Sequence, residues 1–503
     1  MEKKNILLIL TDQQRSDING FNGGKICKTP NLDQLAKDGV NFTRAYSHCP
    51  LCTPTRASIY SGRAIHNHGI MRNVEDNTPN APSIGTKEIP SLAQYLASAG
   101  YKSAFIGKWH AGKRLPGECG FDAMDISGYG DILNSSHYLN YLKKKGLKKP
   151  KATPVGVGYP HNLLLAGKMS GSVEASVPYF LAESTIEKIK EYSEDDAPYF
   201  LALNFWGPHA PYLPCEPYAS MYNPKELPPW SNYIDNFENK PPLYKRHHDS
   251  FVGEGATMRS WDECAQWVAL YFGFMTQIDA QIGRVLGVLK KLGIEDQTAV
   301  FFSTDHGDLC GAHNGMHDKN ALMIEELMHI PMLAKIPGIT MQGEQIEHFV
   351  SNLDLPATIT DIAGLGVPEI FDGRSLLPLF SKKTPFEWPD YLVSECFGVH
   401  FAYETRMVVY KHYKYIFHPG AFDELYNLDE DPDEMFNLIQ SEEYKNILDE
   451  CRIRLLQWMR DTKDPFQRAF FLFEKHELYS PETVKEYSLK AAESFFSRPP
   501  QLR

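Results

Sequence analysis

Two acidic pairs and a scatter of cations stand out in this 503-residue chain. Asp12-Gln13 and Asp305-His306 each follow a short apolar run, and together they supply two carboxylates, an amide oxygen and an imidazole. That donor set suits one divalent cation held mainly by oxygen. Arg56, Lys108, His110, His209 and Lys319 add positive charge and hydrogen-bond donors. Gathered beside a metal, they make a pocket for a tetrahedral oxyanion, where preorganised positive charge stabilises the charge that develops on transfer. The chemistry implied is hydrolysis of a phosphate or sulfate ester, with Cys52 in the nucleophile's position. Each residue alone has a plainer reading: a strand-end aspartate caps or turns the chain, a lysine is solvated, a histidine is structural. The functional reading therefore depends on convergence.

Cys52 also closes a CxxC, Cys49-Pro50-Leu51-Cys52, a spacing used by redox dithiols and by half of a zinc site. The chain has 9 cysteines but no second CxxC and no dense framework, so most read as reduced, buried, small hydrophobes. A net charge of -12 argues against a general nucleic-acid binder, and the basic stretch Lys143 to Lys151 reads as a solvated loop. The opening MEKKNILLILTDQQ is too short in its apolar run (Ile6 to Leu10) for a signal peptide and has no small-residue cleavage site. It reads as a first buried strand. No stretch approaches the roughly 20 apolar residues of a membrane span, so the expectation is a soluble, cytoplasmic protein.

Four apolar runs rich in β-formers carry the chemistry at their ends. Asn5 to Thr11 ends at Asp12-Gln13, Ser103 to Ile106 at Gly107-Lys108-Trp109-His110, Tyr199 to Phe205 at Trp206-Gly-Pro-His209, and Ala299 to Thr304 at Asp305-His306-Gly307-Asp308. Helical segments lie between them: Pro30 to Asp38, Pro90 to Ala99, and Cys264 to Leu292 before Gly293. Near-continuous apolar strands alternating with helices predict an α/β fold with a large, mostly parallel sheet sandwiched by helices. Ligands bind beyond the carboxyl ends of such strands, so all four clusters should share one rim. After about residue 385, Tyr391 to Glu395, Met407 to Tyr410 and Tyr413 to His418 predict an antiparallel sheet, followed by a helix from Glu442 to Met459. The organisation expected is a catalytic α/β domain over 1–385 and a smaller α+β domain over 386–503, whose aromatic tail from Pro465 packs on the body.

Cys52-Thr53-Pro54-Thr55-Arg56 followed by Ser61-Gly62-Arg63 resembles the CxPxR signature of the type I sulfatases, in the alkaline phosphatase superfamily. Other stretches agree with that family in the same order: the Asp12 strand, Thr29-Pro-Asn-Leu-Asp33 with Leu35-Ala36 and Gly39, Gly107-Lys-Trp-His110, Gly207-Pro-His-Ala-Pro211, and Asp305-His-Gly-Asp308 leading to Lys319. Glu424-Leu-Tyr-Asn-Leu428 with Asp431-Pro432 is similar to the family's small domain.

The resemblance implies that a formylglycine-generating enzyme oxidises Cys52 to formylglycine (3-oxoalanine), which hydrates to a geminal diol. One diol oxygen attacks sulfur and expels the alcohol; loss of a proton from the other hydroxyl then releases sulfate. It further implies that Asp12, Gln13, Asp305, His306 and the modified Cys52 bind one metal. Arg56 would hold the diol, Lys108 would lie near diol and sulfate, and His110 would act as base. His209 with Lys319 would hold the sulfate and help protonate the leaving oxygen. Sulfatases commonly have a second aspartate where Gln13 stands and an asparagine where His306 stands. These changes lower the negative charge and add a nitrogen ligand, leaving calcium the expected ion, with manganese or magnesium as alternatives. The Gln and His combination also occurs in related phosphonate monoester hydrolases, the competing enzymatic reading. A third reading is a silent homologue in which Cys52 stays unmodified. The expected substrate is a small sulfated molecule, a sugar or glycan fragment. His400, Glu404 and Arg406 lie on the second domain, as recognition residues at the pocket mouth or as ordinary surface and inter-domain residues.

Overall fold

The computed structural model describes residues 3–467 apart from 74–80, 125, 127–131, 159–162, 253–259, 381–386, 399–402 and 420. The predicted domain boundary, His400 and the tail beyond 467 lie outside the described residues.

The central sheet has eight strands in the spatial order Glu344–Ile346, Val40–Phe42, Leu333–Lys335, Thr298–Thr304, Asn5–Asp12, Tyr199–Pro208, Lys102–Gly107 and Asp122–Ala123. Leu333–Lys335 alone runs against its neighbours; the other pairings are parallel. The opening apolar run is the middle strand, flanked in register by Thr298–Thr304 (Leu8 beside Phe301) and by Tyr199–Pro208 (Leu8 beside Ala202).

Side chains alternate across a strand, and here each alternate set enters a separate core. Leu7, Ile9, Leu201, Leu203, Val300 and Phe302 pack with helices Pro30–Asp38, Val177–Tyr192 and Trp261–Lys291. Ile6, Leu8, Phe200, Ala202, Ala299 and Phe301 pack on the opposite face with helices Cys52–Ser61, Leu92–Ser98 and Asp354–Ile362. Burial on both faces is why these strands read as unbroken apolar runs; each fully buried large aliphatic contributes about 1.5–3 kcal/mol. Among the described residues no helix is long and apolar enough to cross a membrane.

The second domain is an antiparallel meander of Tyr391–Cys396, Thr405–Tyr410, Tyr413–Phe417 and Glu424–Asn427. Met407, Val409, Ile416 and Tyr426 face the body, against Tyr46, Cys49, Leu51 and Met328. Val408, Tyr410, Tyr415 and Leu425 face helix Lys445–Thr462 through Leu448, Cys451, Leu455 and Met459. The predicted helix from Glu442 thus begins as a short 3-10 turn, Glu442–Tyr444, before its α-helical part. Lys143 to Lys145 close helix Ser136–Lys145, and the exposed connector follows it.

Candidate active site

The four strand ends do share a rim. Thr11 pairs with Thr304 and Gly107 with Asn204, so Asp12, Asp305, Lys108 and the turn carrying His209 leave the sheet side by side. Gln13 turns at once, with φ 61°, and its N–H donates to Asp305 Oδ1 at 3.0 Å. A left-handed non-glycine residue costs roughly 1–3 kcal/mol, held here by that bond and by both ends of the Gln13 amide.

Helix Cys52–Ser61 is buried along its whole length and points its positive N-terminal end at the rim. It stops at Gly62, whose φ of 73° and N–H to Ser58 O (2.8 Å) close the C-terminus; a Cβ there would meet the Phe371 ring at 2.5 Å. Cys52 is its first residue, with Sγ 3.2 Å from His306 Nε2 and 4.0 Å from Lys108 Nζ. The Thr53 N–H donates to Asn73 Oδ1 at 3.1 Å, setting Asn73 over the same helix end.

Arg56 lies one turn deeper and is fully buried. Nε donates to Asp305 Oδ2 (2.8 Å), NH2 to Asp12 Oδ2 (2.7 Å), and NH1 to both Lys108 O (2.9 Å) and Asn204 Oδ1 (3.1 Å). A guanidinium has five N–H donors, so these bonds fix its plane and leave one NH2 hydrogen beside Asp12. Lys108 Nζ approaches Asp12 Oδ2 at 2.8 Å. Burial pushes the Asp12 carboxyl up, but Lys108 and Arg56 outweigh it and hold the group well below the usual carboxylate range.

Asp12, Cys52, Asp305 and His306 offer ligand atoms within 4.8 Å of one another, all buried. Asp12 Oδ1 is buried and has no hydrogen-bond partner, and the His306 ring is aligned by its Nδ1 on Gly307 O at 2.8 Å. A carbonyl only accepts, so Nδ1 carries the hydrogen and Nε2 is left as a lone-pair donor. An open carboxylate oxygen, a second carboxylate and a bare imidazole nitrogen fit a divalent cation. Asp12 and Asp305 are balanced by Arg56 and Lys108, so such an ion would make the pocket floor net positive, as an anionic ester requires.

Gln13 sits differently from the other expected ligands. Its Nε2 donates to Asp308 Oδ2 (2.7 Å) and its Oε1 accepts from Lys319 Nζ (2.8 Å). Tyr212 donates to the same Asp308 oxygen at 2.7 Å. Burial raises the Asp308 carboxyl to about 6, with the Asp318 charge adding to it. Lys319 also reaches Asp318 (3.2 Å) and His209 Nε2 (2.6 Å), and His209 Nδ1 faces the Ala210 carbonyl. His110 is buried beside these groups, at φ 46°. Burial, reinforced by the Lys108 and Arg56 charges, pushes its pKa well below the ordinary histidine value, which favours the neutral ring. The structure thus gathers the residues expected at the site into one cluster, buried except at the partly exposed His209.

The family model for sulfatases matches residues 4–365. The chain belongs to the sulfatase family. A second model, the C-terminal part of N-sulphoglucosamine sulphohydrolase, matches 311–461 of this sulfatase. It is 29% identical to an arylsulfatase of Clostridium perfringens over 482 residues, 92% of this chain and 96% of the relative. It is 24% identical to an N-acetylglucosamine-6-O-sulfatase of Bacteroides thetaiotaomicron over 94% of this chain and 89% of the relative. Its fold superposes on the phosphonate monoester hydrolase of Agrobacterium radiobacter with a TM-score of 0.76 and 25% identity, covering 92% and 96% of the two chains.

The sulfatase site contains residues to which the sequence motifs gave no role: Asn204 and Tyr60 around Arg56, Tyr212 and the motif residue Asp308 behind Gln13, Asn73 over Cys52 and Asp318 beside Lys319. Asn204 did carry a signal, as the lone polar side chain in Tyr199-Phe-Leu-Ala-Leu-Asn-Phe205. The dithiol reading gains no support: Cys49 and Cys52 are both free thiols, and Cys49 packs in one core cluster with Cys396 of the second domain. Arg406 is no mouth residue either. It is fully buried and bonds Asp464 at 2.7 and 3.0 Å, 3.6 Å from Glu395, which closes a second acidic and histidine cluster of His66, Glu395 and Asp464 as an ion network.

Proposed function

We propose that this protein is a sulfuric ester hydrolase that cleaves the sulfate ester of a sugar or small glycan fragment, using a hydrated formylglycine formed from Cys52 and one divalent cation, calcium first. The single observation that carries the reading is the placement of Cys52 at a helix N-terminus, within 4.8 Å of Asp12, Asp305 and His306 and above a clamped Arg56. The likeness to the N-acetylglucosamine-6-O-sulfatase supports the substrate class.

The roles follow from the bonds. Asp12, Asp305 and His306 would hold the cation, which supplies positive charge to the nucleophile and to the ester oxygens when bound. Gln13 would complete that set through its amide oxygen while holding Lys319. Arg56, with one N–H left, orients the oxygens at position 52, and Lys108 draws negative charge toward the same point. His110 is the base for the hydroxyl that collapses to release sulfate. The Lys319–His209 pair carries the proton for the leaving alcohol oxygen. Maturation calls for a formylglycine-generating enzyme. A cytoplasmic location of the sulfatase is part of the same proposal.

Peptide mass mapping of protein from its native host tests the nucleophile: an aldehyde in place of the thiol at position 52 is expected, and an unmodified cysteine there would leave a silent homologue. Sulfate release is then measured on sulfated mono- and disaccharides, tyrosine sulfate and choline sulfate. The Gln13 and His306 pair and the likeness to a phosphonate monoester hydrolase favour a second reading, cleavage of phosphonate monoesters or phosphodiesters at the same site. A strong preference for phosphorus esters over aryl and sugar sulfates would select it.

A further inference from the structure

We propose that Asn204 is a positioning residue of this active site, one that aims Arg56 and Lys108 together; the inference rests on the sulfatase reading. Asn204 lies in the fully buried part of strand Tyr199–Pro208, on the alternation that carries Phe200 and Ala202 toward helix Cys52–Ser61. An amide is costly there, and the more so because Asn204 Nδ2 is buried without a hydrogen-bond partner. The cost is borne at a point where Oδ1 accepts two bonds, from Arg56 NH1 at 3.1 Å and from Tyr60 OH at 2.8 Å. Because a guanidinium can only donate, the oxygen must face Arg56, which settles the orientation of the amide.

Tyr60 stands four residues after Arg56 on the same helix, so both side chains descend from one helix face onto one oxygen. Asn204 also acts through its main chain. Its carbonyl accepts the Lys108 N–H at 3.0 Å, and the Lys108 carbonyl accepts Arg56 NH1 at 2.9 Å. The three residues form a closed loop of contacts behind the pocket. Strand contact is so close here that a Cβ on Gly107 would sit 1.8 Å from the Asn204 oxygen. An asparagine achieves this without charge. A third carboxylate at the same point would upset the balance of Arg56 and Lys108 against Asp12 and Asp305, whereas an apolar residue would leave NH1 one acceptor short and loosen the guanidinium.

The test is a double-variant cycle on the matured protein. Asn204→Ala is expected to lower kcat for an aryl sulfate by about 10- to 100-fold with KM within about threefold, and Tyr60→Phe, which keeps the packing volume, by about two- to fivefold. In an Arg56→Lys background Asn204→Ala should remove less than about twofold more, since the group it aims is gone. A purely structural fault would cost the same in both backgrounds. A readout independent of turnover is the rate at which an aminooxy probe labels the aldehyde at position 52: loosening Arg56 should uncover the aldehyde and speed labelling severalfold. If Asn204→Ala fails to fold, Tyr60→Phe carries both readouts. Variants with kcat within twofold and unchanged labelling overturn the inference. Full labelling with no sulfate ester turned over overturns the sulfatase reading instead, and the labelling rates still decide the role of Asn204.

Discussion

Lys319 Nζ lies 2.6 Å from His209 Nε2, while His209 Nδ1 faces the Ala210 carbonyl. The carbonyl only accepts, so Nδ1 keeps its hydrogen and Nε2 takes one from the Lys319 ammonium: the two side chains share a single proton at the edge of the pocket. Removing either partner should therefore hurt a substrate in proportion to how much its leaving oxygen needs that proton. Lys319→Ala is expected to slow an alkyl or sugar sulfate by about 10²- to 10⁴-fold and 4-nitrophenyl sulfate by less than about tenfold. His209→Ala should show the same selectivity, and the double variant little more than either single. Equal losses on good and poor leaving groups would remove proton donation from this pair.

Metal removal has two expected readouts. Exhaustive chelation should abolish turnover and lower the unfolding midpoint, and one equivalent of calcium should restore both. At a free ion concentration 100 times its Kd the gain in stability is about 2.7 kcal/mol. Asp12→Asn keeps the shape of the site but removes the open anionic oxygen, so it should weaken metal binding by titration calorimetry. Full activity in metal-free protein, verified by elemental analysis, contradicts the assignment.

Acid should loosen the nucleophile helix through His68. This buried ring accepts the Ile70 N–H on Nδ1 at 3.0 Å, so Nε2 donates to Ser58 of that helix at 3.0 Å. Burial lowers its pKa to about 3, against a partial pull upward from Glu395. The unfolded chain, with a histidine near 6.5, binds the extra proton first as pH falls, so the stability is fully present above about pH 6.5 and is lost down to about 3. Denaturant midpoints should fall across that window, at up to about 1.4 kcal/mol per pH unit from this group. His68→Gln should be less stable at pH 7 and flatter below it; an unchanged slope refutes the attribution.

The strand-end grammar was readable because doubly buried strands leave continuous apolar runs, and the polar residues that interrupt them must lie at the rim. Asp12, Lys108, His209 and Asp305 were legible for that reason. Asn204 was hidden by the same rule, a polar residue inside a run where burial should exclude it, and its partners are supplied by a helix more than 140 positions earlier. Asp308 and Tyr212 meet behind Gln13 across 96 positions, a pairing that no local spacing encodes. Arg406 misled because charge suggests surface, whereas Asp464 and Glu395 compensate it in the interior. The sequence could show which residues end strands, but not which buried polar groups find each other.

Gly107 offers a test of the rim that is independent of chemistry. Its φ is 108°, and a Cβ would lie 1.8 Å from the Asn204 main-chain oxygen, between two neighbouring strands that cannot separate without breaking the ladder. Gly107→Ala should therefore destabilise by more than about 3 kcal/mol, or leave the protein insoluble. Gly100 is the control: its φ is 79°, but a methyl added there would have nothing within 4 Å. Gly100→Ala carries only the left-handed strain, about 1–2 kcal/mol. Urea midpoints of the two variants measure the difference, and equal losses would mean that the close approach of Lys102–Gly107 to Tyr199–Pro208 does not constrain the turn that delivers Lys108.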